Sequence, residues 1–189
     1  REGMKIIAVS DVSGGIYNPD GLNVPAILDY LSLNRKNLLK DYNEEGMSRI
    51  TNEELLEMDV RVLVPAALEN QINASNAHKI RAEVIVEAAN GPVAADADGI
   101  LQDRGITVVP DILANAGGVV VSYFEWVQNI QSVSWTEEEV NEKLKNIMDP
   151  AFEAVWDIAM KQNATLRTGA YLIAVKRVVE AKAARAIWP

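Results

Sequence analysis

The sequence predicts an α/β fold: a mostly parallel sheet flanked by helices, followed by a helical C-terminal segment. Three observations carry this. Short β-rich apolar runs alternate with stretches of helical periodicity, a pattern that calls for parallel crossovers, right-handed by default. The runs are nearly continuous in apolar residues, as strands covered on both faces are. From Asp111 onward only helical patterning remains.

The elements follow in order. Met4-Lys5-Ile6-Ile7-Ala8-Val9-Ser10-Asp11 reads as a buried strand. Gly14-Gly15-Ile16-Tyr17-Asn18-Pro19-Asp20-Gly21-Leu22 carries strong turn chemistry and reads as a small surface hairpin. Ile27, Leu28 and Leu31 at helical spacing predict a helix over 24–34, and residues 40–50 read as a loop. Thr51, three residues before Glu54, matches a capping box that opens a short helix. Arg61-Val62-Leu63-Val64-Pro65, Glu83-Val84-Ile85-Val86-Glu87-Ala88 and Ile106-Thr107-Val108-Val109-Pro110 are strands. Helices are expected over 72–80 and 94–104, the second ended by Gly105. Three more are expected over 111–131, 136–163 and 168–186, with Leu172, Val175, Val178 and Val179 packing the last as a lid or brace.

The 189 residues, 49% hydrophobic and 24% charged, suit one domain, or one domain with a helical tail. The expected division is 1–130 for the α/β part and 131–189 for helices packed on it. Eighteen basic against 27 acidic residues leave a net charge of −9, which argues against nucleic acid and anionic membranes as partners. With no cysteine and the single histidine His78, expected on a solvated helix face, no metal site is expected. There is no leader-like segment and no apolar run of the roughly 18 residues a membrane span needs. A cytoplasmic protein is expected. Because the chain opens at Arg1 rather than Met, a fragment, a processed product or a trimmed chain is also expected.

Four segments carry chemistry. Asp11 ends a strand, where an acid can hydrogen-bond adenosine ribose hydroxyls and repel a 2′-phosphate, favouring NAD over NADP; the competing reading, ordinary turn composition before Ser13-Gly14, is the stronger one from this residue alone. Pro65-Ala66-Ala67-Leu68-Glu69 follows a strand, and its small residues would let a flat ligand lie on the backbone, or simply make a tight turn. Asn90 in Glu87-Ala88-Ala89-Asn90-Gly91-Pro92 serves either a turn or a ribose.

The sharpest segment is 110–126. At about 100° per residue, Asn115, Gly118, Val119 and Ser122 share one helix face, and Leu113, Val120, Phe124 and Val127 the opposite one. The second face is a core stripe. The first joins a costly glycine to an amide and a hydroxyl, as a surface would where a ligand meets the backbone. The competing reading is helix packing through Gly117 and Gly118, with Ser122 bonded to its own helix.

Ser10-Asp11…Gly14-Gly15-Ile16-Tyr17, Pro65-Ala66-Ala67-Leu68-Glu69, Ala89-Asn90-Gly91-Pro92 and Asn115-Ala116-Gly117-Gly118…Ser122-Tyr123-Phe124-Glu125-Trp126 occur in the order and approximate spacing of glutamate dehydrogenases. The chain resembles the nucleotide-binding domain of that family along essentially its whole length, and the last string is the most specific. The resemblance implies an incomplete Rossmann-like domain binding NAD, with NADP possible. It places Asp11 at the adenosine ribose, Ala66 and Ala67 at the adenine groove, and Asn90 and Asn115 near the nicotinamide riboside. Asn115, Gly118, Val119 and Ser122 would meet substrate, Ser122 bonding the γ-carboxylate of L-glutamate.

The implied reaction is hydride transfer from the glutamate α-carbon to the nicotinamide, then imine hydrolysis to 2-oxoglutarate and ammonia. The family's glycine-rich turn and the lysines and aspartate that act on substrate have no match here. No catalytic residue is therefore assigned, and this chain alone is expected to be inactive. The intact family enzyme is a homo-oligomer, a hexamer. In the usual strand order the missing first strand is central, so residues 5–11 are expected to pair with 83–88, or the gap to close by dimerisation. A non-catalytic nucleotide-binding module and a dehydrogenase for another amino acid stay open as alternatives.

Overall fold

A computed structural model describes residues 3–185. The α/β class is borne out, with two three-stranded sheets and a helical C-terminus. Two compact units divide the chain: 1–60 with 79–81, and 61–78 with 82–189.

The first unit holds an antiparallel sheet of order β1-β2-β3, from β1 (Ala8–Asp11), β2 (Gly14–Tyr17) and β3 (Ser48–Ile50). The expected pairing of 5–11 with 83–88 does not form. Strand β1 instead makes a tight hairpin with β2, Asp11 opposite Gly14. Gly14 permits the reversal at φ 118°, a region a side chain would strain. The first part of the expected surface hairpin over 14–22, residues 14–17, is thus a central strand whose Ile16 is fully buried. The turn comes after it, where Asn18 Oδ1 accepts from the Asp20 N–H at 3.0 Å. The expected loop over 40–50 contributes β3. Helix α1 (Val24–Leu33) starts as the sequence suggests, capped by Asn23 with proline in its first turn. Ile16, Leu22, Ile27, Leu39 and Tyr42 form the core of this unit. Helix α2 (Asn52–Leu56) carries the expected capping box, with both Thr51 and Glu54 bonds present.

The second unit is built on the parallel sheet β4-β5-β6, from β4 (Val62–Leu63), β5 (Val84–Val86) and β6 (Thr107–Val109). Helix α3 (Ala95–Asp103) links β5 to β6. The helix expected over 72–80 is absent. Ile72 bridges Val93, and only Ala77–Lys79 forms a single 3₁₀ turn, on which His78 is exposed. Asn73 Oδ1 accepts from Ser75 N–H at 3.0 Å, and Asn76 Oδ1 from Asn73 N–H at 2.8 Å. Such local side-chain bonds compete with helix formation.

The expected helix over 111–131 is broken into α4 (Asp111–Ala114) and α5 (Ala116–Gln131). Helix α6 (Glu137–Gln162) opens on Thr136 with a capping box to Glu139, and acidic residues fill its first turn as the positive helix end favours. Helix α7 (Leu166–Ala184) begins two residues earlier than expected, capped by Thr165. Its packing face also differs. Leu166, Gly169 and Ala170 are buried, and Leu166 and Ala170 share a core with Leu113, Val155 and Ala159. Leu172, Val175, Val178 and Val179 are 43–69% exposed. The small residues decide this: a Cβ added at Gly169 would lie 2.9 Å from the Val155 carbonyl oxygen, so α6 and α7 meet closely there.

Candidate functional site

Each strand of the parallel sheet leads into a segment holding a motif that the sequence singled out: the loop 64–72 after β4, the loop 87–94 after β5, and 110–115, which contains α4, after β6. The carboxyl edge of such a sheet is where open α/β folds bind ligands. Backbone bonds tie the first two loops together. The Pro65 carbonyl accepts from the Ala88 and Ala89 N–H groups, each at 3.0 Å. Asn70 N–H donates to the Gly91 carbonyl at 2.8 Å, and Ile72 N–H to that of Pro92 at 2.9 Å. The left-handed conformation in the second loop falls on Gly91, φ 57°, so the turn does not itself require asparagine at position 90.

The segment after β6 is joined to the second loop by side chains. Asn115 Nδ2 donates to Asn90 Oδ1 at 2.8 Å and to the Ala89 carbonyl at 3.4 Å. Asn115, φ −100° and ψ 0°, is also where α4 and α5 part. The helix break and the crosslink to the neighbouring loop coincide at one residue, which periodicity alone could not reveal.

These loops and the first turns of α5 surround an open cleft of about 780 Å³, within the usual range for ligand pockets. Ala67, Asn90, Asn115, Gly118, Val119 and Ser122 line it, with Leu68, Glu69, Ala88 and Ala89 completing the wall. Six of the eight residues singled out from sequence therefore meet in one place. Ala66 is exposed on the first loop but does not line the cleft.

The two faces read from 110–126 are present. Leu113 and Phe124 are buried and Val120 and Val127 partly so, whereas Gly118, Val119 and Ser122 are exposed. A Cβ at Gly117 would make ordinary contact with Leu144 at 3.7 Å, but one at Gly118 meets nothing within 4 Å. Packing within the chain does not call for glycine at 118.

Asp11 lies in the first unit, where its turn duty is explicit. Oδ1 accepts from Ser13 N–H at 2.7 Å and Ser13 Oγ–H at 2.5 Å, and Oδ2 from Leu39 N–H at 2.9 Å. Burial alone would push the carboxyl up. The bonds from Ser13 and Leu39, with the nearby Lys40 charge, outweigh it and hold the group below its ordinary value.

One part of the site was missed by sequence reading. Glu87, one residue past β5, is fully buried, and its Oε1 accepts from Arg167 Nη2 at 2.7 Å. Arg167 Nε also meets Asp98 at 2.8 Å, and Nη1 lies 3.6 Å from Asp111. Burial works against the guanidinium charge, but Glu87 and Asp98 prevail and raise its pKa above the ordinary value. An acid closing an apolar strand run was a visible signal that a cation must meet it. Its partner, 80 residues away in sequence, was not.

Comparison with known proteins matches the sequence model for Glutamate/Leucine/Phenylalanine/Valine dehydrogenase to residues 1–186. The chain belongs to this family. Among curated relatives, it is 50% identical over 95% of its length to a catabolic NAD-specific glutamate dehydrogenase of Bacillus subtilis, of which it covers 41%. It is 52% identical over its full length to an NADP-specific glutamate dehydrogenase of Halobacterium salinarum, covering 45% of that protein. The chain thus spans less than half the length of these members of the dehydrogenase family.

Among solved structures, the hetero-hexameric glutamate dehydrogenase of Thermus thermophilus in its leucine-bound form superposes with a TM-score of 0.86 at 32% identity. The match covers 99% of this chain and 43% of that one. Glutamate dehydrogenase of Plasmodium falciparum superposes at 0.87 with 29% identity, over 97% of this chain and 42% of that one. The family's nucleotide-binding domain is therefore the fold seen here. Among the described residues no helix is long and apolar enough to cross a membrane, and no acid or histidine cluster could hold a metal ion.

Proposed function

We propose that this chain is the nicotinamide-nucleotide-binding part of a glutamate dehydrogenase that deaminates L-glutamate oxidatively to 2-oxoglutarate and ammonia. One observation carries the reading: Asn90, Asn115, Gly118, Val119 and Ser122 line a single cleft at the carboxyl edge of the parallel sheet. The donor set suits a nicotinamide riboside beside an amino acid. Two amides offer bonds to ribose or carboxamide, and the bare backbone at Gly118 gives room for close approach. The nicotinamide, when bound, would supply the hydride acceptor.

The protein's share is orientation. The Asn90–Asn115 bond fixes both amides relative to each other, and Ser122, one turn beyond Gly118, would donate to the γ-carboxylate of glutamate. A hydroxyl there offers nothing to an apolar side chain, which supports glutamate over leucine or phenylalanine. For the adenosine ribose the candidate is Asp11. Its Oδ2 accepts one bond among the described residues, and an ionised carboxyl oxygen has room for about two. That acid supports NAD over NADP, and the relatives include users of either. In the native polypeptide carrying this segment, a homo-oligomer, the hexamer implied by the resemblance, completes the reading.

The test is Ser122→Ala in that polypeptide. A hydrogen bond to a charged group is worth about 1.5–3 kcal/mol, so KM for glutamate should rise about 10- to 150-fold with affinity for the nucleotide unchanged. An unaltered KM for glutamate would remove glutamate as the substrate.

A further inference from the structure

The four charged groups of the Arg167 cluster connect helix α7 to the loop that carries Asn90. Arg167 holds Glu87 Oε1, and Glu87 Oε2 accepts from the Asp111 N–H at 2.7 Å, fixing the first turn of α4. Asp111 Oδ2 in turn accepts from the Gly91 N–H at 2.8 Å. Asn115 follows α4 directly and donates to Asn90, the residue before Gly91. The chain of contacts is Arg167, Glu87, Asp111, Gly91, with both cleft amides attached to its far end.

We infer that Arg167 is a positioning residue, which through Glu87 and Asp111 holds the Ala89–Asn90–Gly91 turn and the start of α4 so that Asn90 and Asn115 face the cleft in fixed register. The inference rests on the proposed function for what those amides bind. Three carboxylates surround one guanidinium, so Arg167 is the positive charge that keeps them together. Glu87 is fully buried. Without Arg167 its carboxylate would be desolvated with no counter-charge, and it would have to turn towards water. Turning away releases the Asp111 N–H. Lysine would keep the charge, but a single ammonium lacks the planar fork that meets Glu87 and Asp98 together.

The test uses Arg167→Met and Arg167→Lys in the native polypeptide carrying this segment, with hydrogen–deuterium exchange resolved at Gly91 and at the strand amides Val84–Val86. The expected result for Arg167→Met is exchange at Gly91 at least tenfold faster, with the strand amides much less affected. It is accompanied by a kcat about 10- to 100-fold lower and little change in KM for glutamate, because misplacement of about 1 Å costs rate more than binding. Arg167→Lys should fall between. Unchanged Gly91 exchange overturns the inference, and so does an equal rise at Gly91 and the strand, which would mark general loosening. If Arg167→Met does not fold, the same comparison in Arg167→Lys decides. Exchange does not depend on turnover: a wild-type protein inactive on glutamate sinks the proposed function, whereas full activity with unchanged Gly91 exchange in the variants sinks this inference alone.

Discussion

Replacing Gly118 by alanine should stabilise the protein while weakening its ligand. Gly118 sits in the first turn of α5, and a Cβ there meets nothing within 4 Å. Folding therefore gains helix propensity, about 0.5–1 kcal/mol for Gly→Ala, without a clash to offset it. For a unit of this size that is about 1–4 °C in Tm. The same methyl group would project into the cleft that Gly118 lines. If a ligand lies against the backbone there, overpacking costs it about 1–3 kcal/mol, or roughly 5- to 150-fold in affinity. Differential scanning fluorimetry gives the first quantity, and nucleotide and glutamate titrations of the native polypeptide give the second. Opposite signs are the signature. A lowered Tm would show that Gly118 serves packing, and an unchanged affinity for both ligands would show that nothing approaches it. Either result would refute the assignment of the cleft.

Gly169→Ala is the control with the reverse sign. Its Cβ would lie 2.9 Å from the Val155 carbonyl oxygen and 3.1 Å from Ala159 Cβ, so overpacking of about 1–3 kcal/mol should outweigh the propensity gain and lower the denaturation midpoint. A raised midpoint would mean that α6 and α7 separate freely. Asp11→Ala leaves the Ser13 and Leu39 N–H groups without their acceptor and should cost about 1–3 kcal/mol by urea denaturation at neutral pH. The carboxyl titrates below its ordinary value in the fold. Its stabilisation is therefore complete above the unfolded value, near pH 3.9, and disappears as pH falls through the lower folded value. The gap between wild type and Asp11→Ala should narrow in that acid range, and a pH-independent gap would contradict the turn role.

Local pattern made much of this protein legible. The capping box at Thr51 and the three parallel strands depend on neighbours a few residues apart, and local pattern encodes those directly. The same holds for the two faces read over 110–126, where spacing alone put Asn115, Gly118, Val119 and Ser122 together. Their common cleft with Ala67 and Asn90 followed because these motifs end parallel strands or begin the next helix, as the Asp11 motif does not.

What lay outside that reach required partners distant in sequence or competition between them. Strand β1 had an apolar run suited to the parallel sheet, yet Gly14 and the Asp11–Ser13 bonds gave it a closer antiparallel partner. Helix α7 offered apolar residues on more than one face, and backbone approach at Gly169, rather than hydrophobicity, chose which was buried. Glu87 signals a buried acid at the end of its strand, but nothing in the sequence marks Arg167 as its partner. Only the folded chain brings them to 2.7 Å, because a buried charge selects its counter-charge through space and leaves no periodic trace along the sequence.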